Sequence, residues 1–186
     1  MTIDLSKSLD DLLKDLEWDR EKAVEIGFED ATALRANEFG HFSYRYIPRD
    51  EKSTAFERGM KLGKFLGTRY DAAQFTDEEI ALRDNPLFYM MENAFVWGHK
   101  EDASKMVEIE CYFASKGFII IVRDQGDGFD VAEVVRKLDS GERYFVNGGT
   151  AFRVMKRDPT CTYSYNKKGN EAYILCLTAN AQKAVR

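Results

Sequence analysis

A chain of 186 residues, 44% of them hydrophobic, is long enough for one complete core. Its 27 basic and 32 acidic side chains leave a formal charge of −5, which disfavours a broad electrostatic grip on nucleic acid or an anionic membrane. Three cysteines without C-x-x-C spacing and only two histidines, His41 and His99, argue against a structural zinc site. Cys111, Cys161 and Cys176 therefore read as core or strand residues in a reducing compartment. No basic leader followed by an apolar core opens the chain, and no apolar run approaches the roughly 20 residues of a membrane helix. A soluble, cytoplasmic protein is expected.

The first 40 residues are charged and helix-like. Leu9, Leu12, Leu13 and Leu16 recur at helical spacing behind Ser8, a fitting N-cap before Asp10 and Asp11. Two readings stay open for this helix: an interaction surface, or a helix packed on its own domain. The chain divides into a helical extension, 1–40, and a folded domain, 41–186. Phe42, Tyr44 and Tyr46 alternate with Ser43 and Arg45, the period of a half-buried strand. Phe56, Met60 and Phe65 then stand near helical spacing, predicting a helix over one sheet face. Thr76 and Glu79 form a capping-box pattern, and Pro86 suits the start of a second helix running to Gly98.

Val107, Ile109, Cys111 and Phe113 alternate with Glu108, Glu110 and Tyr112 before a Ser-Lys-Gly turn and the apolar run Phe118 to Val122, which reads as a hairpin. Val131, Val134, Val135 and Leu138 mark an amphipathic helix. "GGTAFRVMKR", Gly148 to Arg157, reads as a glycine-rich loop entering a helix, and two last strands flank a turn at Lys168, Gly169 and Asn170. This order predicts an α/β fold of the α+β kind. It is a two-layer sandwich in which a mixed, largely antiparallel sheet carries its helices on one face.

Three polar stretches interrupt the apolar framework: "ENAFVWGHK", "DQGDG" and "NGGTAFR". Asp124 with Gly126 and Gly128 is either a tight turn or a ligand cradle, since glycine serves both positive φ and close approach. A calcium loop is excluded, because the sixth and twelfth positions counted from Asp124 are Phe129 and Val135, where glycine and glutamate are needed. Gly148, Gly149 and Thr150 precede a helix and could direct N–H groups at an anion, although the Lys-Ser/Thr ending of a P-loop is missing. Asn93 in an apolar helix is costly unless its amide bonds to backbone, metal or ligand.

In order and spacing the three stretches, over residues 41 to 178, resemble the ATP-binding superfamily shared by gyrase-type topoisomerases, ninety-kilodalton heat-shock chaperones, sensor histidine kinases and mismatch-repair ATPases. Within it the chain is most similar to the anti-sigma-factor serine kinases. The resemblance implies a Bergerat-type fold with ATP and Mg²⁺ as cofactors. Asn93 of the "NA" motif would ligate the Mg²⁺ bridging the phosphates, and Asp124 of D-x-G-x-G would accept from the adenine amino group, which guanine replaces by a carbonyl. Gly126 and Gly128 would let backbone pass close to the purine, with Phe129 beneath it. Gly148, Gly149 and Thr150 would meet the phosphates at a mobile lid, and "GNE" at 169 to 171 also resembles the anti-sigma group. Implied partners are a sigma factor or an antagonist protein, with the homodimer typical of those relatives, and neither nucleic acid nor membrane.

Departures from the family pattern bear on activity. Tyr89 stands where many relatives carry the glutamate general base; Glu92 is one residue before Asn93, about 100° around the helix, and is a poor substitute. Val96 and Trp97 replace a basic residue and a histidine, and Ala151 a lid glycine. No catalytic residue is assigned. His41 and His99 lack the surroundings of a phosphoacceptor histidine. Lys100, Arg153, Lys156 and Arg157 could neutralise phosphates or be solvated helix charges. Three functional readings follow: an Mg²⁺-dependent ATP-using protein kinase, a nucleotide-gated binding module without turnover, and a fold whose pocket has been abandoned.

Overall fold

The computed structural model describes residues 3–25, 40–46, 61, 64–66, 69–70, 86–102, 104–142, 149–157 and 161–178. Helix α1 spans Leu9–Leu16, α2 Pro86–Asn93, α3 Val131–Ser140 and α4 Thr150–Arg157. The strands are β1 Val24–Glu25, β2 Gly40–Tyr46, β3 Val107–Ala114, β4 Gly117–Arg123, β5 Cys161–Tyr165 and β6 Glu171–Leu177. They form one sheet in the order β1-β2-β3-β4-β6-β5, antiparallel at every pair except β1 with β2. The architecture is α+β.

Alternation along the strands divides the sheet's side chains between two cores. Phe118, Ile120 and Val122 of β4 join Val107, Ile109, Cys111 and Phe113 of β3 in the larger one, which α2, α3 and α4 cover with Met90, Met91, Val131, Val134, Phe152 and Met155. Residues 64–66 and 69–70 are helical and add Leu66 and Tyr70, whose hydroxyl donates to the Ala114 carbonyl at 2.6 Å. The intervening residues of β4, Ile119 and Ile121, point the other way with Tyr173 and Leu175 of β6, and there they meet Leu12 and Leu16 of α1.

Helix α1 thus lies on the rear of the sheet, and the expectation of helices on one face alone is corrected. The reason is visible in β4: five consecutive apolar residues leave no polar face for water, so the second face needs a cover. Ser8 caps α1 as expected, accepting from the Asp11 N–H while the Asp11 carboxylate accepts from Ser8 N–H at 3.0 Å. The segment before it is tied to β5, with Asp4 N–H donating to the Tyr163 carbonyl at 2.8 Å and the buried Ser164 hydroxyl donating to the Lys7 carbonyl at 2.7 Å.

The other predicted elements from β2 onward that fall among the described residues form where their patterns placed them, except that the helix expected from Pro86 to Gly98 is α-helical only to Asn93. Phe56, Met60, the Thr76 and Glu79 capping pattern, and Gly148 lie outside the described residues. The cysteines are core strand residues, but they are not all free thiols: Cys161 and Cys176 face each other in the β5–β6 register, Cα atoms 4.4 Å apart, and form a disulfide. Sheet register, which sequence spacing does not disclose, brings them together. Cys111 is a free, buried thiol whose pKa burial pushes well up. Among the described residues no helix is long and apolar enough to cross a membrane.

Candidate functional site

Helix α2 enters on Pro86, whose missing N–H costs nothing in a first turn, and buries Leu87, Met90 and Met91. Immediately after Asn93 its pitch widens. Residues Ala94–Gly98 form a π-helical turn, closed by the His99 N–H donating to the Ala94 carbonyl at 3.0 Å. Met90, Asn93, Ala94 and Trp97 share the face that lines a cavity of about 300 Å³. Single π turns inside helices are frequent at functional sites, because the added residue re-aims the side chains that follow.

The second wall grows from the end of β4. Asp124 leaves the strand with its N–H bonded to the Asn170 carbonyl (3.0 Å) and its own carbonyl accepting from Asn170 Nδ2 (3.2 Å). Its Oδ1 accepts from the Gly126 N–H at 2.7 Å. Gly128, at φ +78, faces the turn between β5 and β6 so closely that a Cβ there would lie 1.9 Å from the Lys168 carbonyl oxygen. Gly169, also at φ +78, meets the Phe129 carbonyl in the same way, at 2.2 Å. The two loops are interleaved backbone to backbone, with Phe129 N–H donating to Lys168 O (3.1 Å) and Lys168 Nζ donating to Gly126 O (2.9 Å). Both glycines supply the positive φ and the close approach that a side chain would prevent.

Aromatic rings close the third side. Phe152 of α4 stacks on Tyr165 of β5 at 5.6 Å, and Phe129 stands edge-on to both at 6.1 and 5.8 Å. Trp97, 53% exposed, and Phe129, 38% exposed, are the large hydrophobic side chains left most open to solvent among the described residues, and both line this cavity. Apolar walls with few polar groups are the usual composition of a small-molecule site. The polar groups are Asn93, Asp124, Asn170 and Glu171. Burial raises the Asp124 pKa above its ordinary 3.8, against the opposing pull of the Gly126 N–H, Lys168 and Lys105.

Of the residues singled out in the sequence, Asn93, Asp124, Gly128, Phe129 and Gly149 line this one cavity. Gly126 supports it from behind, since a Cβ there would stand 2.1 Å from the Gly98 carbonyl oxygen. Thr150 begins α4 but is not on the lining, and Gly148 lies outside the described residues. Tyr89, partly buried against the main core, and exposed Glu92 are likewise off the lining. Lys156 is paired with Asp139 at 2.5 Å, and Lys100 reaches Asp127 at 3.9 Å.

Phe152, Tyr165 and Trp97 were not singled out as site residues. The first two carry the apolar pattern of core positions, and only the packing of α4 against β5 turns them toward a cavity. Compared with protein-family models and with curated proteins, the chain matches none.

Proposed function

We propose that the chain binds an adenine nucleotide, as ATP with Mg²⁺, in this cavity, and acts as an ATP-binding regulatory protein of the histidine-kinase-like type with a Bergerat-type fold. One observation carries the reading: Asn93 and Asp124, far apart in sequence and singled out for opposite ends of the same ligand, line one cavity. Asp124 would accept from the exocyclic amino group of adenine, a position where guanine offers only another acceptor. Phe129, Phe152 and Tyr165 supply apolar and aromatic surface for the purine. Gly149, at φ +85, brings the start of α4 to the cavity rim, where backbone N–H groups favour phosphate.

The residues fit the cofactors. A Mg²⁺ held through one side-chain oxygen, that of Asn93, and through the phosphates of its ligand needs no dedicated cage, and none of three or more acidic, His or Cys ligands occurs among the described residues. When bound, the ion would neutralise phosphate charge; the chain's own task is to hold and orient the nucleotide.

A second reading, a nucleotide-gated binding module without turnover, is favoured by Tyr89 and Glu92. The position of the usual general base is half-buried against the core, the neighbouring carboxylate is exposed, and neither lines the cavity. In either case the partner would be a protein of the sigma-factor or antagonist type, in keeping with the family resemblance.

Displacement of a fluorescent ATP analogue by ATP and by GTP, with and without Mg²⁺, tests the site. ATP should displace it at a concentration at least about tenfold lower than GTP, the discrimination one unmade hydrogen bond provides. Equal displacement by GTP would refute the role of Asp124. Phosphate release in the same samples separates kinase or ATPase from switch.

A further inference from the structure

Two segments remote in sequence, the π turn and the Asp124 loop, are tied by one buried side chain that does not line the cavity. His99 is 1% exposed. Its Nε2 accepts a hydrogen bond from the Gln125 N–H at 3.0 Å, while its Nδ1, sealed from water, has no partner among the described residues. A ring nitrogen that accepts carries no proton, so the ring is the neutral tautomer protonated on Nδ1. The backbone N–H of the same residue closes the π turn on Ala94. His99 follows Gly98, which makes room for the Asp124 carboxyl, and Gln125 follows Asp124. One imidazole therefore fastens the two chain positions adjoining the contact between Gly98 and the Asp124 carboxyl.

We propose that His99 is a positioning residue for the nucleotide site: its neutral imidazole, accepting from Gln125 N–H, holds the Asp124 loop against the turn that follows Asn93, and protonation of the ring releases that loop. The inference rests on the adenine-nucleotide reading of the cavity. An imidazolium would present Nε2–H to the Gln125 N–H, donor against donor, and the contact would break. The charged groups acting on the ring are Lys105 and Asp102 on the loop after the π turn, and Lys105 also acts on Asp124, the residue before Gln125. Burial, reinforced by Lys105 and opposed by Asp102, holds the His99 pKa below its ordinary 6.5, which keeps the ring neutral at physiological pH.

The test joins two measurements on the full chain. The Gln125 amide resonance should titrate with the His99 ring in the wild type, with a midpoint below 6.5, and lose that titration in His99→Gln. Affinity for Mg²⁺-ATP should fall about tenfold as pH drops through the same midpoint. His99→Gln, whose side-chain oxygen can accept from the same N–H without titrating, should bind as the wild type does at neutral pH and lose this acid limb. His99→Phe should bind about tenfold more weakly at neutral pH while its circular dichroism remains native. An unchanged acid limb in His99→Gln, or wild-type affinity in His99→Phe, would overturn the proposal. If the wild type binds no ATP, the nucleotide reading fails separately, and a Gln125 amide indifferent to the ring would still refute the coupling.

Discussion

Gly98 and Asp124 compete for one volume: a Cβ on Gly98 would lie 2.5 Å from Asp124 Cγ and 2.6 Å from its Oδ1. The carboxylate lies against helix backbone because the helix offers no side chain there. Gly98→Ala should therefore abolish nucleotide binding at a modest cost in stability. Better helix propensity, worth up to about 1 kcal/mol, offsets only part of a displacement of the carboxylate costing about 1–3 kcal/mol. Calorimetric titration beside thermal unfolding checks this, and retained binding would contradict it.

Gly128 and Gly169 are governed by backbone rather than side chain. A Cβ on Gly128 would meet the Lys168 carbonyl at 1.9 Å, and its φ of +78 penalises any L-residue. Gly128→Ala should cost about 2–4 kcal/mol in urea unfolding, more than an ordinary surface glycine. Gly141, also at positive φ but with open space around it, serves as the control and should cost less than about 2 kcal/mol.

The charge on Asp124 is a cost in the folded chain. Burial raises its pKa above 3.8, with the Gly126 N–H, Lys168 and Lys105 opposing, so the folded protein holds the proton more tightly than the unfolded one. The stabilisation that protonation confers is complete below 3.8 and is lost as pH rises through the raised folded value. Asp124→Asn should thus be more stable than wild type at neutral pH, by no more than about 1 kcal/mol because the group is partly solvated, with the gain vanishing near pH 4. Unfolding curves at the two pH values decide it; a less stable variant at neutral pH would refute the argument.

Helix α1 belongs to the folded core. Leu12 and Leu16 are fully buried against Ile119, Ile121, Tyr173 and Leu175. Leu12→Ala or Leu16→Ala should cost about 2–5 kcal/mol in chemical denaturation. A detachable interaction helix would show almost no loss. A partner that binds without displacing α1 would meet its exposed residues Asp10 and Lys14 and the capping Glu17, not the buried Leu12 and Leu16.

Local patterns were legible and long-range pairings were not. The hairpins, α2, α3 and α4 follow from period and turn chemistry, and the Ser8 cap is readable in four residues. The run Phe118 to Val122 reads as a strand, but that both its faces are buried, and that α1 covers the second one, needs the tertiary structure. The same limit hid the Cys161–Cys176 pair, which depends on sheet register. In the site, Asn93, Asp124 and Gly128 stood out because each breaks an apolar pattern, whereas Phe152 and Tyr165 conform to one and are revealed only by what they enclose. The interleaving of Gly128 with Gly169 needed both loops at once.

The central claim is that the cavity between Asn93 and Asp124 holds an adenine nucleotide. Isothermal titration of Mg²⁺-ATP into the wild type and into Asp124→Asn tests it most directly. The account predicts one saturable site per chain in the wild type and loss of that binding in the variant, whose fold is intact. Equal heats from both proteins, or none from the wild type, would contradict it.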